Sequence, residues 1–103
     1  MAIYISNAFS LQMQGEYECK TKKVHVEEAK AVGQTAYSCV GHADVAAVLS
    51  GILGYTVPVN RVNISLKPGD KLIVGQYVGP RLPEGCKTLP EGARIEWYVV
   101  ECY

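Results

Sequence analysis

The stretch His42-Ala43-Asp44-Val45-Ala46-Ala47-Val48-Leu49-Ser50-Gly51-Ile52-Leu53-Gly54 decides how the rest of the chain is read. Val45, Val48, Leu49, Ile52 and Leu53 recur at helical spacing and form one apolar stripe that must face a core. A helix therefore runs from His42 to Leu53, and Gly54 supplies its stop. Beyond Pro58, residues Arg61 to Leu66 alternate Val62, Ile64 and Leu66 against Arg61, Asn63 and Ser65, which is the period of a half-buried strand. Lys67-Pro68-Gly69-Asp70 is turn chemistry leading into a second apolar run, Lys71 to Val78. The two strands are expected to form an antiparallel hairpin.

Upstream of the helix, Ala36 to Val40 is short and apolar and reads either as a strand or as the helix lead-in. The chain opens on a strand over Ile3 to Ser6, broken where Asn7 permits a turn, and Asn7-Ala8-Phe9-Ser10 forms a loop. Tyr17 to Val26 mixes β-branched and aromatic residues with lysines, the pattern of an edge strand whose charges discourage further pairing. Glu27 to Ala31 reads as one helical turn, and Arg94 to Glu101 as the last strand. Leu82-Pro83-Glu84-Gly85 recurs as Leu89-Pro90-Glu91-Gly92, too short for a repeat and best read as turns. Together these elements predict an α/β (α+β) fold, a single domain over residues 1–103 in which helices pack on one mixed sheet.

At 103 residues the chain has room for one modest core. Ten basic and ten acidic residues cancel, so no broad positive field exists for long nucleic acid, and any anionic ligand must be held locally. Neither a signal peptide nor a membrane span is visible, and the protein is expected in the cytoplasm. Cys19, Cys39, Cys86 and Cys102 contain no C-x-x-C pair. Two disulfides are one reading of an even count, but without a secretory signal the expectation is four buried thiols. The seven tyrosines alternate with aliphatic residues and are read as packing rather than base stacking.

Three side chains offer acid-base and phosphate chemistry. Arg81 and Glu84 share the turn Gly79-Pro80-Arg81-Leu82-Pro83-Glu84-Gly85, and His42 stands at a helix start. Arginine presents a planar fork of donors suited to phosphate, and histidine titrates near neutral pH. The plainer readings stand beside these. His42 serves equally as a helix cap, Arg81 and Glu84 as a surface ion pair, Arg61 as a partner for Asp70, and His25 as a structural residue.

Three segments taken together resemble the viral ring nuclease family, the type III anti-CRISPR proteins: Asn7-Ala8-Phe9-Ser10, Gly41-His42 at a helix start, and Asn60-Arg61-Val62 followed by Arg81-Leu82-Pro83-Glu84-Gly85. The resemblance runs from the first strand to the last. It implies a homodimer that degrades cyclic tetra-adenylate, the second messenger of type III CRISPR defence. It also implies that His42 is the catalytic histidine, Glu84 its partner carboxylate and Arg81 the arginine beside the scissile phosphate. Asn7, Ser10, Gln12, Arg61, Ile64 and Gln76 fall on ligand-contacting positions, although Gln12 stands where some relatives carry asparagine. Because RNA supplies its own 2′-hydroxyl nucleophile and the chain has no dense carboxylate cluster, the reaction is expected to need neither metal nor cofactor. The rival from another class is a non-catalytic dimeric protein that binds a cyclic nucleotide or DNA as a regulator.

Overall fold

Two apolar layers, one on each face of a five-stranded sheet, organise the chain. The structure is a computed structural model and describes residues 2–82 and 84–103; Pro83, in the first of the two Pro-Glu-Gly turns, lies outside the described residues. In chain order the elements are β1 (Ile3–Ser6), α1 (Leu11–Gln14), β2 (Cys19–Val24), α2 (Val26–Gly33), β3 (Tyr37–Ser38), α3 (Ala43–Leu53), β4 (Lys71–Val78) and β5 (Arg94–Cys102). The sheet order is β2-β5-β4-β1-β3. β1 runs parallel to β3 and β4, whereas β5 runs antiparallel to β4 and β2. This is the expected α+β architecture on one mixed sheet, and its radius of gyration is 13.0 Å.

Alternation along the strands sorts side chains between the two layers. Ile5, Ile73, Trp97 and Val99 point to the face covered by α2 and α3, where Ala29, Ala46, Leu49 and Leu53 complete one core. Tyr4, Leu72, Val74, Tyr98 and Val100 point to the other face, under Phe9, Met13, Ile64 and Leu66. Gly75 lies opposite Trp97 in the β4–β5 register. A Cβ there would come within 2.8 Å of the indole and 2.9 Å of Leu49, so the missing side chain is what lets the ring lie across the strand.

The helix from the opening stretch forms as its periodicity requires, with Ala46, Val48, Leu49 and Leu53 buried. Gly54 closes it in the left-handed region at φ 81°, and its N–H donates to the Ser50 carbonyl. α2 is longer than the single turn expected, and α1 was not expected at all. Of Ala36 to Val40, only Tyr37–Ser38 forms a strand, β3, which pairs with β1.

Two expectations are corrected. Residues 61–66 have no strand partner, and the hairpin with β4 does not form. The turn itself is present, with Asp70 N–H donating to the Lys67 carbonyl at 2.9 Å. However, the Asp70 carboxylate accepts the N–H groups of Ala2 at 2.9 Å and Lys67 at 3.0 Å, which steers Lys71 against the first strand. Both edges of β4 are taken, by β1 and β5. Residues 61–66 instead cross one face as a cover, held where Leu66 N–H donates to the Met13 carbonyl at 2.7 Å.

The second correction concerns the cysteines. Cys19 and Cys102 are direct partners in the β2–β5 register and form a disulfide, while Cys39 is a buried free thiol and Cys86 a half-buried one. The two bonded residues are 83 positions apart, so nothing local in the sequence signals the pair.

Candidate functional site

Three parallel strands finish at the same end of the sheet, and each leads from its carboxyl end into a candidate segment. In open sheets with crossover helices, ligands gather outside such carboxyl ends. β1 leads into Asn7, β3 into His42 at the start of α3, and β4 into Gly79-Pro80-Arg81.

His42 is the N-cap residue of α3 and is solvent-exposed, but its side chain makes no capping hydrogen bond. The helix-cap reading therefore leaves the imidazole unemployed. Gly41 beside it has a structural reason to lack a side chain: a Cβ there would lie 3.2 Å from Arg61 Cγ. The Arg61 stem thus lies over the backbone that carries His42. The segment bearing Arg61 is stitched to the β3 side by Asn60 N–H donating to the Val40 carbonyl at 2.8 Å and by the Asn60 amide donating to the Ser38 carbonyl at 2.9 Å.

Arg81 and Glu84 are both exposed and line a recess of about 460 Å³ together with Asp44 and Leu82. Gly85 N–H donates to the Asp44 carboxylate at 3.0 Å, which ties this turn to the first turn of α3, two residues after His42. At the other end, Tyr77 Oη donates to the Pro80 carbonyl. Gly79, at φ 143°, leaves room for Ala93, whose Cα would sit 2.7 Å from an added Cβ. Among the described residues no ion pair joins Arg81 to Glu84, and none includes Arg61, so the surface-pair readings do not hold. Nor is His42 joined directly to Arg81 or Glu84 by a hydrogen bond; the connection runs through Asp44 and Gly85.

The ligand-binding candidates separate into two hollows on the face opposite α2 and α3. Asn7 and Gln76 share one of about 270 Å³ with Phe9, Thr21 and Tyr98. Ser10, Gln12 and Ile64 share another of about 260 Å³ with Asn63. The Ser10 oxygen also caps α1 by accepting Met13 N–H at 3.3 Å. Sequence reasoning missed Asp44 as a site residue, since an acid in the first turn of a helix is already explained by the helix dipole. It also missed Thr21 and Tyr98, which lie on strands read only for packing.

Cys39, three residues before His42, is no nucleophile candidate. Burial pushes its thiol above the usual range and so disfavours the reactive thiolate. Away from the site, the Lys23 ammonium bonded to Glu96, helped by Arg94, holds that carboxyl below its ordinary value. No described helix is long and apolar enough to cross a membrane.

Residues 3–96 match the model of the STIV B116-like family. Uncharacterised protein 26 of Sulfolobus islandicus filamentous virus is 34% identical over 103 positions, covering 94% of this chain and 86% of the relative. Uncharacterised protein ORF117 of Acidianus two-tailed virus is 32% identical over 90 positions, covering 82% of this chain and 76% of the relative. The solved structure of B116 from Sulfolobus turreted icosahedral virus superposes with a TM-score of 0.80 at 23% identity, over 98% of this chain and 99% of that one, a likeness of fold. The matched family model and the two viral relatives place the chain in the STIV B116-like family.

Proposed function

We propose that the protein is a metal-independent ring nuclease that cuts cyclic tetra-adenylate into linear di-adenylates ending in 2′,3′-cyclic phosphates, and so switches off type III CRISPR signalling. One observation carries the reading: an exposed imidazole that makes no capping bond at the N-terminus of α3, with the Arg61 stem over the preceding Gly41 and with Asp44, two residues further on, bonded to the Arg81–Glu84 turn.

The chemistry asks little of a protein. The 2′-oxygen of one nucleotide attacks the adjacent phosphorus, its proton passes to solvent water, and the bond from phosphorus to the 5′-oxygen breaks. His42 donates the proton that the departing 5′-oxygen needs, a contribution worth typically 10²–10⁴ in rate. Arg81 and Arg61 balance the negative charge that builds on the non-bridging oxygens. Glu84 orients or charges the imidazole when the ring is bound. Asn7, Ser10, Gln12, Ile64 and Gln76 line the hollows where adenine edges are read by hydrogen bonds rather than by net charge. A ring with two-fold symmetry suits a homodimer in which each subunit supplies one His42.

The test is to incubate the purified protein with cyclic tetra-adenylate in EDTA and resolve the products by chromatography. Wild type should yield di-adenylate with cyclic phosphate ends. His42→Ala should bind the ring and cut it at least about 100-fold more slowly. An intact ring in the wild-type reaction would end the enzymatic reading and leave the non-catalytic binder in its place.

A further inference from the structure

We infer that Asp44 is a positioning residue, a latch whose carboxylate holds the Arg81–Glu84 turn against the helix that starts at His42. The catalytic half of this inference rests on the ring-nuclease reading; the structural half does not.

The turn leaves the sheet after β4 and returns before β5, and its attachment is uneven. Its first end is anchored by Tyr77 on the Pro80 carbonyl and by the close approach of Gly79 to Ala93. Its far end has one tether: among the described residues, the Gly85 N–H to Asp44 Oδ2 bond at 3.0 Å is the only hydrogen bond joining Arg81, Leu82, Glu84 or Gly85 to the rest of the fold. Gly85 takes φ 79°, a left-handed conformation that turns its N–H towards α3 at no side-chain cost. Arg81 and Glu84 are suspended between these two anchors, exposed and without an ion pair of their own. Their position relative to His42 therefore depends on the Asp44 contact.

What the latch requires is an acceptor oxygen, not a negative charge. A carboxylate beside a site for phosphate opposes ligand binding, so electrostatics gives Asp44 no reason to be a ligand contact. An amide oxygen of the same length still accepts the Gly85 N–H, though less strongly than a carboxylate, and this separates positioning from proton transfer. Asp44→Asn retains the acceptor and loses the charge; Asp44→Ala loses both.

Amide hydrogen exchange at Gly85 in the free protein reads the latch without any ring present. In Asp44→Ala the Gly85 amide should exchange at least about 10-fold faster than in wild type, the loss expected for a hydrogen bond to a charged group. In Asp44→Asn it should exchange at a rate between those of wild type and Asp44→Ala, since a neutral acceptor keeps roughly half of the bond. With cyclic tetra-adenylate, Asp44→Ala should lower kcat by about 10- to 100-fold while KM changes little, since a misplaced turn impairs the reacting geometry more than the binding hollows. Asp44→Asn should restore kcat. Unchanged Gly85 exchange in Asp44→Ala overturns the latch, even where wild type cuts the ring. An Asn variant as impaired in kcat as the Ala variant also overturns it, because charge would then matter and not the tether. A wild type that leaves the ring intact defeats the ring-nuclease reading instead, and the exchange data still decide the latch.

Discussion

His42 shows how much a single residue's surroundings decide. Read as letters, a histidine at a helix start is first of all a cap, and the structure shows that the His42 side chain makes no capping bond. Arg61 and Gly41 were legible in the same partial way: the sequence flagged the arginine, and the structure supplied the reason for the glycine, which is the aliphatic stem lying 3.2 Å from where its Cβ would be. Gly75 carried no signal in the sequence beyond a small residue in an apolar strand. In the fold it is wedged between the rigid Trp97 ring and Leu49, neither of which has room to retreat, as Trp97 is 5% exposed and Leu49 0%. Gly75→Ala should therefore destabilise the protein by about 3 kcal/mol, the upper part of the range for overpacking, measured by urea unfolding. A change below about 0.5 kcal/mol would mean that the ring shifts freely, contrary to the packing described.

Elements with a local period were legible, and those defined by partners were not. α3, β1, β4 and β5 announce themselves through spacing and end signals, so their limits follow from residues within a few positions of each other. Residues 61–66 have the right alternation for a strand, and Leu66 is fully buried as that alternation implies. Strand identity, though, needs an open neighbouring edge, and β1 and β5 hold both edges of β4. The connection that brings this segment back from α3 depends on Ser50. Its hydroxyl donates to the Ala46 carbonyl at 2.7 Å and accepts the Val57 N–H at 2.8 Å. Ser50→Ala strands that N–H beside a buried valine and should cost about 1–3 kcal/mol in unfolding free energy. Because Val57 leads the chain towards Asn60 and Arg61, the same variant should broaden or shift the amide NMR signals of residues 57–61 while leaving those of β5 in place.

For the whole molecule, the Cys19–Cys102 bond ties the edge strand to the end of β5 across 83 positions. Closing so long a loop restricts the unfolded chain, and the chain-entropy account values that at about 4.5 kcal/mol. Cys19→Ala with Cys102→Ala, or reduction of wild type, should lower unfolding stability by that order, read as a lower urea midpoint with a steeper slope, because the unfolded chain without the cross-link exposes more surface. An unmoved midpoint would show that the disulfide adds nothing to the pairing already made by the two strands. By itself the sequence determined what a local period or a local turn can encode: one core-facing helix, the first, fourth and fifth strands and the lysine-rich edge strand, the glycine-closed turns and the residue types suited to phosphate chemistry. Tertiary structure alone decided the strand order, the fate of residues 61–66, the disulfide and the Asp44 tether to Gly85 across 41 positions. Contacts of that length leave no periodic trace in the chain, because they arise only when separate elements compete for the same edges and the same unpaired backbone groups.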